Sequence, residues 1–242
     1  AKNGLITSVA TDIPRLEYPL IDGVVNGCPS FLLEPERLQK IQYSEDFSQS
    51  AWAKISITTN SNSSISPDGT LNATKITKSA SNSLIRTFIA TSGANTFSVY
   101  VKKGSLSWVR LYIASDTESA EAWFDLDNGS IGHSSGNPDD IKIVSLSNGW
   151  YRCIITKNTT NITNFRIYPS KADDDTSGTS GDIYIWGAQV ESSSFPTSYI
   201  PNYGTIAGVT RSAETATGAG DATTFSDSEG VLMVEFSSNN QD

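Results

Sequence analysis

A regular series of short apolar segments between residues 73 and 190 constrains the fold of this chain most strongly. The segments are rich in β-branched and aromatic residues, and turn signals containing glycine or asparagine separate them about every 8–12 residues. The pattern lacks the 3.6-residue period of an amphipathic helix. It therefore predicts an all-β fold, an antiparallel jelly-roll β-sandwich with an extended N-terminal arm. The predicted strands cover residues 73–77, 84–90, 96–102, 108–114, 120–126, 141–146, 150–156, 164–168 and 182–190.

The last predicted strand of the sandwich lies within residues 181–191, which read GDIYIWGAQVE. Apolar residues occur on both of its sides, which is typical of a strand in the centre of a sheet. Pro196 and Pro201 follow it. Because proline lacks a backbone N–H and ends strand pairing, we expect the sandwich to close here.

Changes in composition divide the chain into four parts. Residues 1–40 contain short extended pieces broken by proline and glycine, which predicts an arm lying on the sandwich or on a neighbouring subunit. Residues 41–203 form the predicted sandwich. Residues 204–221 have the Gly/Ala/Thr/Ser composition of a linker. Residues 222–242 contain a new strand pattern, which predicts the start of a further β module.

The formal net charge of −9 argues against two classes of partner. Nucleic acids and anionic membranes both attract concentrated positive charge, so neither is expected to bind. No apolar run approaches the roughly 20 residues needed to cross a bilayer. The two cysteines, Cys28 and Cys153, lack metal-type spacing, and we interpret both as free, buried thiols.

Strand alternation predicts which side chains point away from the core. In several predicted strands the apolar residues occupy alternate positions, and the positions between them mix aromatic rings with charged groups. Arg152 belongs to this second set because it lies between Tyr151 and Cys153, which are expected to face inward. The other members are Tyr100, Lys102, Trp108, Arg110, Tyr112, Glu121, Trp123, Asp125, Arg166 and Tyr168.

This mixture of rings and charges is typical of a sugar-binding surface. Sugar rings stack on aromatic walls, and a few placed polar groups bind the hydroxyls. An interface with another subunit or domain would show the same mixture, as would ordinary core positions if the alternation were misassigned. The sequence leaves these three interpretations open. The candidate glycan-binding residues are Tyr100, Trp108, Arg110, Tyr112, Trp123 and Arg152.

Catalytic patterns in the sequence are weak. The single histidine, His133, has no accompanying acid or nucleophile motif, so a hydrolytic triad is not expected. Glu121 and Asp125 share one face of one strand, but nothing marks them as the two carboxylates of a glycosidase. We therefore expect that the chain is not an enzyme, and we assign no catalytic residue.

Two groups of acidic residues could supply oxygen ligands to calcium. The run Asp173-Asp174-Asp175 lies in a Gly/Ser loop, and a solvated acidic loop is our preferred interpretation. Glu45 and Asp182 are the second metal candidates, at the place where the first and last strands of the sandwich could meet. A structural calcium ion is the only cofactor that these residues suggest.

Seven short motifs follow one another along about residues 30–211. They are LLEPER at 32–37, YSEDFS at 43–48 with AW at 51–52, PDGT at 67–70, FSVYVK at 97–102, NGWYRC at 148–153, YIWGAQVE at 184–191 and PTSYIP at 196–201. In this order they resemble a module of bacteriophage structural proteins. The sequence LQK at 38–40 departs from the run that the family usually has there, which leaves the contacts of the arm open.

The resemblance is to head or tail fibres and spikes that carry a jelly-roll domain similar to carbohydrate-binding modules. A concanavalin/laminin-G-like module often follows in such proteins. The resemblance implies a place on the virion surface, other virion proteins as partners, often a homotrimer, and non-catalytic binding of host or environmental glycans. Because a fold does not fix a function, two alternatives remain. They are an architectural module whose aromatic face is an oligomer, capsid or tail interface, and an accessory domain of a polysaccharide-degrading enzyme.

Overall fold

The computed structural model describes residues 4–10, 13–21 and 24–215. The predicted further module at 222–242 lies outside these residues, as does the part of the predicted linker after residue 215. The described residues contain no helix long and apolar enough to cross a membrane.

The described part of the chain is almost entirely β-structure, with one 3-10 turn at Ser147–Gly149. The arm contains β1 (Leu16–Glu17), β2 (Leu20–Ile21), β3 (Val24–Val25), β4 (Ser30–Phe31) and β5 (Arg37–Gln39). The body contains β6 (Trp52–Ile55), β7 (Ile57–Ser64), β8 (Ala73–Lys78), β9 (Leu84–Lys103), β10 (Trp108–Ser115), β11 (Ala120–Asp125), β12 (Ser130–Ser135), β13 (Asp140–Ser145), β14 (Trp150–Ser170) and β15 (Gly181–Glu191). A last strand, β16 (Val209–Arg211), pairs with β5. The predicted fold class, an all-β antiparallel sandwich with an extended arm, is confirmed.

Two long strands, β9 and β14, run through both layers of the sandwich. The sequence pattern predicts two strands in place of each one. In the structure the pairing of β9 with β14 continues past Gly93, and its register shifts between Thr159 and Asn164. Gly93 has a φ of +80° and Asn161 a φ of +51°, so the chain bends there without ending the ladder. One ten-stranded antiparallel sheet thereby folds over into two layers.

The strand order defines the two layers. The first layer contains β12, β11, β10, the second half of β14, the first half of β9, and β6. The second layer contains β13, the first half of β14, the second half of β9, then β15, β8 and β7. The strand β15 lies between β9 and β8, which confirms its predicted central position.

The hydrophobic core lies between the two layers. In the first layer Val109 and Leu111 of β10 face inward, and in the second layer Phe97 and Val99 of β9 face them in the same buried cluster. The ring of Phe97 packs on that of Phe165, with 5.4 Å between the centroids. Alternation along each strand therefore places a continuous apolar surface on one side of both layers.

The two cysteines differ in their surroundings. Both are free thiols, as the sequence indicated. Cys153 is buried in the core, and burial raises the pKa of its thiol well above the usual value. Cys28 lies on the arm and is exposed, so the expectation that both thiols are buried is wrong for this residue. The expectation rests on the usual burial of cysteine as a residue type. The arm has no hydrophobic core in which Cys28 could be buried.

A second, smaller apolar cluster covers the outer face of the second layer. Tyr100, Trp150 and Trp186 are buried there, and Ile6 of the arm packs against them. The segment after β15 crosses this face, and the ring of Tyr199 lies 4.6 Å from that of Trp186. The second layer therefore presents little of its outer face to a ligand.

The arm is fixed to the body by ion pairs near β16. Arg15 donates two hydrogen bonds to the carboxylate of Glu214 and one, of 2.7 Å, to Glu34. Arg211 lies 2.8 Å from the same carboxylate oxygen of Glu34. The backbone N–H of Glu34 donates to Glu214 at 2.8 Å. Four charged groups thus join the arm to the strand that follows the sandwich.

These ion pairs predict a loss of stability in acid. The hydrogen bond from Arg15 holds the pKa of Glu214 below its usual value. The stability that the ionised Glu214 carboxylate contributes is therefore fully present above its unfolded-state pKa of about 4.3. This stability is lost as the pH falls through the lower, folded-state pKa. We expect Glu214→Gln to lower Tm by about 2–4 °C at pH 7, and this difference to shrink in acid. Calorimetry of both proteins across pH 3–7 measures it, with Glu17→Gln as the control, because Glu17 is exposed. Equal Tm values at pH 7 would contradict the expectation.

Candidate functional site

Four of the six candidate glycan-binding residues lie together on the outer face of the first layer. Arg110 of β10 is directly opposite Trp123 of β11, and Tyr112 is opposite Glu121. On its other side Arg110 is opposite Tyr168 of β14. We call this surface the Arg110 face; its members are Trp108, Arg110, Tyr112, Glu121, Trp123, His133, Arg166 and Tyr168.

The structure separates the other two candidates, Tyr100 and Arg152, from this face. They are opposite each other on β9 and β14, on the outer face of the second layer. Tyr100 is buried, and burial raises the pKa of its hydroxyl. Arg152 lies over its ring at 5.4 Å and donates to the hydroxyl of Ser98. The expectation that all six residues share one surface is therefore wrong, because β9 and β14 each contribute to both layers.

Arg110 is the centre of the Arg110 face. Its guanidinium carbon lies 4.3 Å from the ring centroid of Tyr168, 4.8 Å from Trp123 and 5.2 Å from Tyr112. Its terminal nitrogen lies 2.5 Å from a carboxylate oxygen of Glu121. Cation–π contacts and a partly buried ion pair together hold the three rings in fixed positions.

The face is only partly open to solvent. Trp123 is 2% exposed and Tyr168 is 6% exposed. Trp108 and Tyr112 are half-buried, so both rings offer some accessible aromatic surface. The indole N–H of Trp123 and the Nε of Arg110 are buried without a hydrogen-bond partner among the described residues. A ligand on this face would therefore meet two partly exposed aromatic rings and a fixed set of polar groups.

Trp108 and His133 lie along the outer edge of the face. A Cβ atom at Gly132 would come within 2.5 Å of the Trp108 ring, so only glycine lets β12 approach it this closely. The His133 ring meets that of Trp123 edge-on at 5.5 Å. The backbone N–H of His133 donates to Asp173 at 2.6 Å. His133 therefore belongs to the edge of the aromatic surface.

Arg166 forms one side of the Arg110 face, and two residues that the sequence analysis missed lie beyond it. Arg166 lies over Tyr112 at 4.8 Å and donates to the hydroxyl of Tyr168 at 3.2 Å. The missed residues are Arg86, opposite Arg166 on β9, and Phe88, whose ring lies 4.7 Å from the Arg86 guanidinium. Alternation within residues 84–90 would have found them, because Ile85 is the inward residue of that strand.

Hydrogen bonds within the protein engage several of the acidic residues that the sequence analysis considered. Asp125 accepts hydrogen bonds from the backbone of Asp127 and the side chain of Asn128, so it stabilises a turn. Asp175 likewise accepts from Ser177, and Asp173 from His133. Asp125, Asp173 and Asp175 thus each accept hydrogen bonds from groups of the chain itself.

The second metal candidates do not meet. Asp182 accepts from the backbone N–H of Ser105. Glu45 accepts from Tyr199 at 2.8 Å and from Asn72 at 3.1 Å, so the two carboxylates share no partner. Within the described ranges no three His, Cys, Asp or Glu side chains are grouped closely enough to hold a metal ion.

Comparison with known proteins gives distant structural similarity only. No protein-family model and no curated protein sequence matches the chain. One similar solved structure contains the CBM22-1 and GH10 modules of Clostridium thermocellum xylanase 10B in complex with xylohexaose. The two are 10% identical with a TM-score of 0.36, over 64% of this chain and 27% of that one.

A second similar structure is the enzymatically active domain of tailspike protein 4 from bacteriophage CBA120. It is 11% identical with a TM-score of 0.34, over 63% of this chain and 21% of that one. The chain thus spans about a quarter of the length of either structure. Similarity at this level carries no argument about function, which has to come from the residues themselves.

Proposed function

We propose that this chain is a non-catalytic glycan-binding module of a bacteriophage virion surface protein, a head fibre or a tail spike or fibre. The place on the virion rests on the seven ordered motifs that resemble phage structural proteins. Glycan binding rests on one observation, the arrangement of rings around Arg110.

The Arg110 face has the chemistry that a sugar ring requires. Trp108 and Tyr112 offer partly exposed aromatic rings for stacking, while Glu121 and Arg166 offer a carboxylate and a guanidinium for planar hydrogen bonds to hydroxyls. The ring of Tyr112 is held in place before a ligand arrives, because Arg110 and Arg166 lie over it. A fixed surface loses less side-chain entropy on binding, which favours affinity.

We expect Trp108→Ala and Tyr112→Ala each to lower the affinity for a bound glycan about tenfold or more, because each removes part of the stacking surface. The measurement is an array of host and environmental polysaccharides, followed by calorimetric titration of the best ligand. The matched control is Tyr184→Ala, a half-buried tyrosine of the second layer that packs beside Trp186.

Two results would overturn this function. One is a folded wild-type protein that binds no polysaccharide on the array. The other is an affinity that Tyr112→Ala and Tyr184→Ala change equally, with circular dichroism showing both variants folded. Unchanged affinity in Tyr184→Ala together with a loss in Tyr112→Ala supports the proposal.

An architectural role is the second candidate function, and the arm favours it. Several large apolar side chains of the arm are mostly exposed, among them Val24 at 67% and Phe31 at 69%. Contact with a neighbouring copy would cover them, in keeping with the homotrimer that the resemblance implies. Sedimentation velocity separates the two roles. A stable monomer that binds glycan contradicts an obligate interface, and a trimer lost on Phe31→Ser supports one.

A further inference from the structure

A polar cleft in the body shares no lining residue with the Arg110 face. It has a volume of about 490 Å³, and its lining includes Tyr43, Glu45, Asp46, Asn72, Thr74 and Tyr203. We call it the Glu45 cleft. Its volume falls in the range of small-molecule sites.

Contacts between residues that are far apart in the sequence form the cleft. Tyr43 and Tyr203 form a β-bridge, and the hydroxyl of Ser44 accepts from the backbone N–H of Asn202 at 2.8 Å. These bonds bring the start of the body against the segment that follows β15. The Glu45 carboxylate is held at the junction by the hydroxyl groups of Tyr199 and Tyr203.

The residues that line the cleft carry a net negative charge. Glu45 and Asp46 line it, and none of the described lining residues is Lys, Arg or His. Asp68 adds a further negative charge beside Glu45. The positive charge of Lys54 attracts the Asp46 carboxylate electrostatically. The hydrogen bonds of its ammonium group, however, go to main-chain carbonyls, including that of Ser48 at 3.0 Å. Burial raises the pKa of Glu45, as expected for a carboxylate without a cationic partner.

Two buried polar atoms in the lining lack a partner. Thr74 is 0% exposed, and its hydroxyl makes no hydrogen bond with any described residue. The side-chain oxygen of Asn72 is likewise buried and unpaired. A buried polar atom without a partner is destabilising, so these two atoms point to a ligand that donates hydrogen bonds.

We infer that the Glu45 cleft binds an amino sugar through its free ammonium group. The ammonium donates to Glu45 and to the unpaired oxygen of Asn72, and its charge balances that of the carboxylates. The sugar hydroxyls occupy the rest of the cleft, where Thr74 is available to bond one of them. Tyr203 is 73% exposed and supplies an aromatic wall for the ring.

The contacts of Asn72 favour an ammonium group over a metal ion. The amide nitrogen of Asn72 donates to Glu45 at 3.1 Å and to Asp68 at 3.3 Å. It therefore occupies the space between the two carboxylates in which a calcium ion would need several oxygen ligands. Acidic ligands such as uronic acids or phosphates are disfavoured by the negative charge of Glu45 and Asp46.

Calorimetric titration with matched oligosaccharides tests this inference. The probes are a glucosamine tetramer with free amino groups, the N-acetylated tetramer and a glucose tetramer, at slightly acid pH and physiological salt. We expect the free amine to bind about tenfold or more tightly than either neutral probe. Glu45→Gln should lower this affinity about tenfold, and Thr74→Val severalfold. Thr74→Val keeps the side-chain shape and removes an unpaired hydroxyl, so its fold is expected to be intact.

Controls separate this site from general attraction to an acidic protein and from the Arg110 face. Glu36→Gln removes one exposed carboxylate and should leave the affinity unchanged. Trp108→Ala should also leave it unchanged, because Trp108 belongs to the other site. Equal binding of the amine and N-acetyl probes would overturn the inference. The inference would also be overturned if the free-amine probe did not bind. The same holds if Glu36→Gln lowered its affinity as much as Glu45→Gln does.

Discussion

Replacement of Phe97 by alanine is expected to lower the free energy of unfolding by about 3–5 kcal/mol. Phe97 is 0% exposed and lies on β9, in the middle of the core between the layers. The substitution removes most of a ring that packs on Phe165 across the sandwich. Neighbouring strands cannot close the cavity, because backbone ladders on both sides fix their spacing. Urea denaturation followed by tryptophan fluorescence measures the change.

The matched control for Phe97 lies on the same strand. Phe88 is 61% exposed and contacts the guanidinium of Arg86. Phe88→Ala should therefore cost about 1 kcal/mol or less. A Phe97→Ala variant no less stable than Phe88→Ala would show that the core is not where the alternation of β9 places it.

Replacement of Gln39 by methionine is expected to lower the free energy of unfolding by about 2–4 kcal/mol. Gln39 is fully buried at the end of β5. Its side-chain nitrogen donates to the carbonyl of Ala188 at 2.8 Å, and its oxygen accepts from the N–H groups of Ile41 and Val190. Methionine has nearly the same shape but cannot make these bonds, so three buried backbone groups lose their partner.

A neighbouring glutamine provides the control for Gln39. Gln42 is half-buried and donates one hydrogen bond, to the carbonyl of Gly204 at 3.1 Å. Gln42→Met should change stability by about 1 kcal/mol or less. If thermal denaturation gave the two variants the same Tm, the buried bonds of Gln39 would not be what holds β5 against β15.

Most of the fold follows from local patterns. The central position of β15 was predictable because apolar residues occur on both of its sides, Ile183 and Ile185 on one and Trp186 on the other. Strands β7 and β12 were not predicted, since their sequences, ITTNSNSS and SIGHSS, are mostly polar and lack a regular apolar alternation. Sheet pairing, not local propensity, makes them strands.

The candidate site was predictable in part for a geometric reason. Alternation shows which side of a strand a residue occupies, and it placed Trp108, Arg110 and Tyr112 together correctly. It does not show in which layer a strand lies, so it grouped Tyr100 with them. The Glu45 cleft depends on residues far apart in the sequence, such as Glu45 and Tyr203, which are 158 positions apart. No pattern within a short window contains that information.

The pairing of β5 with β16 determines how the module would respond to mechanical load. Arg37 and Arg211 are opposite each other, so the chain enters and leaves the body at neighbouring points. Tension applied along the chain would therefore peel this short ladder open one residue pair at a time. The ion pairs of Arg15, Glu34 and Glu214 lie at the same place and would break first. Little of the force would reach the sandwich until the β5–β16 ladder and these ion pairs had separated. The outer surfaces of both layers would keep their shape until then.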